Sequence, residues 1–228
     1  MGNLKQAMKD INQTFINAES AFKKLLPNEE NNWRQVLPLD VLVRAQSDDE
    51  FENFKSNWES FLEQLDKIWN RLNAFAKHHI DDEKTKKSVQ GFLGQANSER
   101  KKDDVLVYLD KARNSAHHTL WRHIRKSSKG EVITDAKGVN VNTDNNQLVI
   151  TSPNGGTVSE IVILDNYVVL LSAIDVVENN IKKTIYLPER HLDNVLYTFD
   201  RVLPQMIGKM GLLYYESLIS NFGERIKK

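Results

Sequence analysis

The apolar positions of the chain keep a helical period over four stretches and then change to short β-branched runs. Leu4, Met8, Ile11, Phe15, Ala18, Phe22 and Leu25 recur at three- and four-residue steps, which predicts an amphipathic helix ending before Pro27. Residues 28–46 mix Pro38, polar residues and the apolar run Leu37 to Val43, and read as a connection holding about one turn of helix. Ser47-Asp48-Asp49-Glu50 then fits a capping box, in which the serine and the glutamate three later satisfy orphan amides of a first turn. Phe51, Phe54, Trp58, Phe61, Leu62, Leu65, Ile68, Trp69, Leu72 and Ala76 carry the period onward. They predict a long second helix whose aromatic stripe is core or subunit interface. Lys84 to Ala96 predicts a third helix, residues 98–102 a polar joint, and Asp103 or Asp104 the cap of a fourth helix reaching Ile124.

After Lys129 the grammar is that of strands. Glu131 to Thr134, Gly138 to Val141, Gln147 to Thr151, Val158 to Leu164, Tyr167 to Val177 and Ile181 to Leu187 are alternating or β-branched runs separated by turn formers such as Asn154-Gly155-Gly156. Short connections between short strands imply antiparallel pairing, because parallel strands need crossovers of a dozen residues or more. Beyond Pro188, His191 to Phe222 returns to helical spacing, with Pro204, Gly208 and Gly211 as candidate breaks or bends. The expectation is an α+β fold: a helical bundle (1–128), an antiparallel β-meander (129–188) inserted before a long C-terminal helix (189–228), packed as one body.

Composition narrows the chemistry. The 228 residues include no cysteine, which excludes disulfides, thiolate nucleophiles and Cys-ligated zinc. No apolar run reaches signal-peptide or membrane-span length near the start or elsewhere, so the expectation is a cytoplasmic protein with no membrane partner. The Met-Gly start lacks the Ser or Thr at position 6 of a myristoylation signal, where Gln6 stands. His78-His79 followed by Asp81, Asp82 and Glu83 suggests a metal site, but adjacent histidines diverge on a helix and the acids are explained by the next helix's dipole. No metal or cofactor is expected. No HExxH spacing, phosphate-binding glycine loop or nucleophile elbow is present either.

Charge singles out one stretch. The chain balances 31 basic against 31 acidic groups, yet from Lys111 to Lys129 it carries Lys111, Arg113, Arg122, Arg125, Lys126 and Lys129 with no acid, and His117, His118 and His123 besides. On a helical wheel Arg113 falls inside the apolar stripe of Val105, Leu109, Ala112, Ala116 and Leu120. A guanidinium there calls for a partner on the second helix, a ligand or a subunit boundary. His117 lies on nearly the same face as Arg113, and His118 about 140° away if the helix is regular.

At Arg113-Asn114-Ser115-Ala116-His117-His118 the sequence resembles the HEPN superfamily (higher eukaryotes and prokaryotes nucleotide-binding), whose signature is an arginine, a polar residue and a histidine after four to six intervening positions. The order of helices, Ala112-Arg113-Asn114, β-rich segment and then Tyr186-Leu187-Pro188-Glu189-Arg190-His191-Leu192 is similar to that of uncharacterised bacterial HEPN-like proteins. The resemblance implies a bundle that forms homodimers with facing motifs. In active members it implies metal-independent RNA cleavage, as in toxins and defence components, with RNA and an antitoxin or other protein as partners. It gives Arg113 the role of stabilising phosphate charge, Asn114 of positioning and His118 of proton transfer. His117 and His191 are auxiliary candidates, although His191 read alone opens the last helix. Lys111, Arg122, Arg125 and Lys126 supply phosphate attraction, while the neutral total charge argues against broad coating of nucleic acid. The alternative is a non-catalytic interaction or scaffold protein whose Arg113 holds an interface.

Overall fold

The structure, a computed structural model, describes residues 2–28, 32–37, 47–118, 123–134, 140–142, 149–151, 161–164, 166–178 and 181–227. The helices are α1 (Gly2–Lys23), α2 (Asp48–His78), α3 (Glu83–Arg100), α4 (Asp104–His118), α5 (Thr198–Val202) and α6 (Pro204–Ile226). Side-chain caps fix where the middle three begin. Ser47 Oγ accepts from the Glu50 amide at 3.1 Å while the Glu50 carboxylate accepts from the Ser47 amide at 3.0 Å, completing the expected capping box. Asp82 accepts from the Thr85 amide at 2.7 Å to open α3, and Asp103 accepts from the Leu106 amide at 2.9 Å to open α4.

The apolar faces of α1, α2, α4 and α6 close on one core. Phe22 of α1 sits at its centre, fully buried, with ring centroids 5.4 Å from Phe61 of α2 and 6.0 Å from Trp33. The Trp33 indole N–H is satisfied by Glu19 at 2.8 Å. Gly208 and Gly211 leave α6 unbroken and let it approach its neighbours. A methyl on Gly208 would lie 2.7 Å from Phe22 Cε2, and one on Gly211 2.6 Å from Leu109 Cδ1. These glycines are contact sites, not bends.

The strands between α4 and α5 are antiparallel and their order of pairing is nested. β1 (Ile124–Lys126) pairs with β6 (Val169–Leu171), β2 (Val132–Thr134) with β5 (Ile161–Ile163), and β3 (Asn140–Asn142) with β4 (Val149–Thr151). Ile124 stands opposite Leu171, Val132 opposite Ile163 and Asn140 opposite Thr151. This makes a ribbon running out from the bundle and back, where sequential neighbours would have made a meander. Two hairpins follow: β7 (Ile174–Glu178) with β8 (Ile181–Ile185), and β9 (Arg190–His191) with β10 (Asn194–Val195).

The base of the ribbon is docked on α4. Tyr108 Oη lies 2.7 Å from the Ser172 carbonyl oxygen and 3.0 Å from that of His123, and Ser127 Oγ accepts from the Val168 amide at 2.9 Å. Val168 to Leu171 are all buried in the same apolar cluster as the helices, so bundle and ribbon share one core as expected.

Three expectations are corrected. Ile124 does not continue the fourth helix: α4 ends at His118 and Ile124 joins β1, where its side chain is buried and its backbone pairs with Leu171. His191 does not start a helix but ends β9, and Pro204 divides α5 from α6 because it supplies no amide to continue the shorter helix. Residues 98–100 of the polar joint belong to α3. The apolar run from position 38 to 43, and the turn formers at 143–146 and 154–156, lie outside the described residues.

Candidate functional site

Arg113 projects from the inner side of α4 toward α2. Its Nη2 lies 3.0 Å from Asp66 Oδ2 and its Nη1 donates to Asn114 Oδ1 at 2.8 Å. Asp66 is held in turn by Asn70 Nδ2 at 2.9 Å. The guanidinium therefore has the α2 carboxylate partner that its place on an apolar face requires. About a third of the Arg113 side chain (32%) stays accessible, whereas its Nε is buried with no hydrogen-bond partner among the described residues. Beside it is a pocket of about 20 Å³, the space of a single water, walled by Leu62, Asp66, Arg100, Asp110 and Tyr215. Burial pushes the Tyr215 phenol up to about 12, with Arg100 pulling the other way, so it remains a neutral hydroxyl near pH 7.

α4 is helical through His118, so the whole Arg113–His118 motif is carried on one helix. The side chains of His117 and His118 lie outside the described residues, as does Arg122. The structure brings Arg113 and Asn114 together and adds Asp66, Arg100, Asp110 and Tyr215, none of which the motif names. The signal for Asp66 was present in the sequence as one of three alternatives: Arg113 on an apolar face called for a partner on the second helix, a ligand or a subunit boundary, and the structure supplies the partner.

Three further candidate cations, Lys111, Arg125 and Lys126, are each met by an acid from elsewhere in the chain. Lys111 Nζ is 2.5 Å from Glu178 on β7 and 3.9 Å from Asp110. Arg125 makes a fork with Glu131, 2.9 and 2.5 Å, which holds the Glu131 carboxyl below its usual range and raises the guanidinium further. Lys126 is 3.5 Å from Asp48 and lies over the Tyr167 ring at 5.2 Å. Four cations of the acid-free run, Lys111, Arg113, Arg125 and Lys126, are thus paired once folded.

His191 is held at the other end of α4. Its Nδ1 is 3.0 Å from both carboxylate oxygens of Asp103, which also accepts from the Leu192 amide at 2.7 Å. Burial works to raise the Asp103 carboxyl, but the hydrogen bonds from His191, Leu192 and Leu106 outweigh it and hold it below the ordinary aspartate range. Asp104 accepts from the amides of Glu189 and Arg190 at 3.3 and 3.1 Å. The two aspartates clamp a two-residue turn in which Leu192 (φ 45°) and Asp193 (φ 68°) are both left-handed, the sign pattern of a type I′ hairpin. A leucine in that region is strained, and the clamp is what holds it. Asp103 and Arg113 are ten positions apart, about 15 Å along the axis of α4, so His191 does not join the Arg113 group.

His123 is buried (2% exposed) with neither ring nitrogen bonded among the described residues, and burial with Lys55 nearby lowers its pKa to about 4. It is a neutral core imidazole at neutral pH. Among the described residues, no group of three or more histidine or acidic side chains is placed to hold a metal ion, and no helix is long and apolar enough to cross a membrane.

No protein-family model, curated protein or solved structure matches the chain.

Proposed function

We propose that the chain is an HEPN-like, metal-independent ribonuclease of the toxin or defence type that acts as a homodimer. The observation that carries this reading is the state of Arg113. Its guanidinium is oriented by Asp66 and Asn114, about a third of its side chain stays accessible, and it stands five positions before His118 on one continuous helix. An arginine fixed in that way offers donors to phosphate oxygens without a further ordering cost, and a histidine on the same helix from the facing copy or from this one supplies a proton-transfer group near neutral pH. The ribose hydroxyl is the nucleophile, so no metal-bound water is required.

The test is incubation of the purified chain with mixed cellular RNA in excess chelator, with Arg113→Ala and His118→Ala alongside. Cleavage by the parent and its loss in both variants, at unchanged solution mass, is the expected result. Intact RNA in every sample, with all three folded, overturns it.

A second reading is favoured by one observation. Lys111, Arg113, Arg125 and Lys126 all lie in ion pairs within the chain, as expected of a structural network in a non-catalytic interaction protein. In that case Arg113→Ala lowers stability or changes solution mass and no RNA is cut by the parent.

A further inference from the structure

We infer that the groove between the end of α3, the outer side of α4 and the β7–β8 hairpin is a track for the backbone of single-stranded RNA leading to Arg113. This deepens the ribonuclease reading and rests on it for the identity of the strand. The groove has a volume of about 330 Å³ and is lined by Arg100, Lys101, Lys111 and Lys183 together with Asp110 and Glu178. Four cations against two carboxylates give it a positive balance in a chain whose formal net charge is zero.

The groove and the Arg113 pocket share part of their lining. Arg100 and Asp110 line both of them, and Asp110 and Arg113 are one turn apart on α4. Arg100 is preorganised, stacked on the Trp69 ring at 4.2 Å and 3.7 Å from Asp110. Lys101 and Lys183 are exposed and form no ion pair within 4 Å among the described residues, so they are the cations left to meet a ligand. Lys183 comes from β8, opposite Val176 of β7, which gives the hairpin a part in the site.

The lining also favours one ligand class. Cations alone would suit any polyanion, but cations alternating with carboxylate acceptors suit a strand that presents both phosphates and hydroxyl donors, as ribose does through its 2′-OH. Among the described residues no aromatic side chain lines the groove, so binding there follows the backbone and is tolerant of sequence.

The experiment measures fluorescence anisotropy of a labelled, unstructured RNA oligonucleotide in the Arg113→Ala background, which cannot cut under the ribonuclease reading, across a series of salt concentrations. Paired reversal of Lys101→Glu and Lys183→Glu is expected to weaken binding about tenfold or more at low salt. It should also reduce the slope of log affinity against log salt by about 1.4, the share of two single-strand phosphate contacts. A charge reversal at one exposed lysine outside the groove, Lys87→Glu, should leave affinity within about twofold, and DNA of the same sequence should bind more weakly than RNA. Equal affinity of the paired variant and its background, or an equal loss in Lys87→Glu, overturns the track. If the parent chain cuts RNA while the groove variants bind and cut normally, the track alone fails. If RNA binds through the groove and the parent cuts nothing, the cleavage reading alone fails.

Discussion

The Arg113 guanidinium of α4 lies 3.0 Å from the Asp66 carboxylate of α2, and both side chains are more than half covered. This pair joins the helix that carries the candidate motif to the longest helix of the bundle, so any change at Arg113 is felt in two ways: as a lost ligand-facing donor and as a broken contact between helices.

The first prediction separates these effects by a double-mutant cycle on stability. Arg113→Ala and Asp66→Asn should each cost about 1–2 kcal/mol, and the double variant should cost less than their sum by about 1 kcal/mol, more than an exposed surface pair gives because both partners are partly buried. Urea unfolding midpoints at constant slope are the measurement. Strict additivity would show that the contact adds nothing to the fold and that Arg113 is held for its ligand alone.

The second prediction concerns acid. The His123 imidazole is buried without a partner and titrates at about 4 in the folded chain, below the roughly 6.5 of an exposed histidine. The unfolded chain therefore binds the proton more readily. The contribution of this group is intact above pH about 6.5 and is lost as pH falls from there toward about 4. Between pH 7.5 and 5 the loss is about 2 kcal/mol. Asp103 acts in the same direction, since its carboxyl is held down, but only as pH falls through the carboxylate range. His123→Leu should remove most of the decline between pH 7.5 and 5 while keeping the decline below it. An unchanged slope in that variant, read by urea unfolding at the two pH values, would place the titration elsewhere.

The third prediction contrasts two glycines on helices. Gly91 of α3 has open space around it, so Gly91→Ala should stabilise by up to about 1 kcal/mol through helix propensity. Gly208 of α6 offers the same propensity gain, but its new methyl would meet the Phe22 ring at 2.7 Å and the Phe61 ring at 3.2 Å, both fully buried. Overpacking a rigid aromatic pair costs about 1–3 kcal/mol, which exceeds the gain. Thermal midpoints moving in opposite directions for the two variants are expected; a rise for Gly208→Ala would contradict the packing described.

The parts of the structure legible in the sequence are those fixed by local chemistry. Ser47 and Glu50 announced the start of α2, the acids Asp81, Asp82 and Glu83 that of α3, and the place of Arg113 on an apolar face called for a partner, a ligand or a subunit boundary, of which Asp66 is the partner. What remained illegible depends on partners distant along the chain. Ile124–Lys126 is three residues long and charged at two of them, so nothing local distinguishes it from helix until Val169–Leu171 pairs with it. The basic run looked unneutralised because its partners Glu178, Asp66 and Asp48 stand far from it in sequence. The type I′ turn at Leu192-Asp193 lacks the glycine or asparagine that announces such turns, and it is held by Asp103 and Asp104 of another element. Arg100, Lys101 and Lys183 were unremarkable until α3, α4 and β8 placed them around one groove.

The close seating of α6 bears on how the chain is made. Phe22, Phe61 and Leu109 are buried against the glycine face of a helix that leaves the ribosome roughly 150 residues after Phe61. At about 5–20 residues per second, the nascent chain carries that aromatic surface open for on the order of ten to thirty seconds. During this interval α1 and α2 have each other but not their lid, and the nested ribbon between α4 and α5 lengthens the wait. The centre of the core therefore closes only once α6 has been made, and until then it presents apolar surface of the kind that makes incomplete chains prone to aggregate.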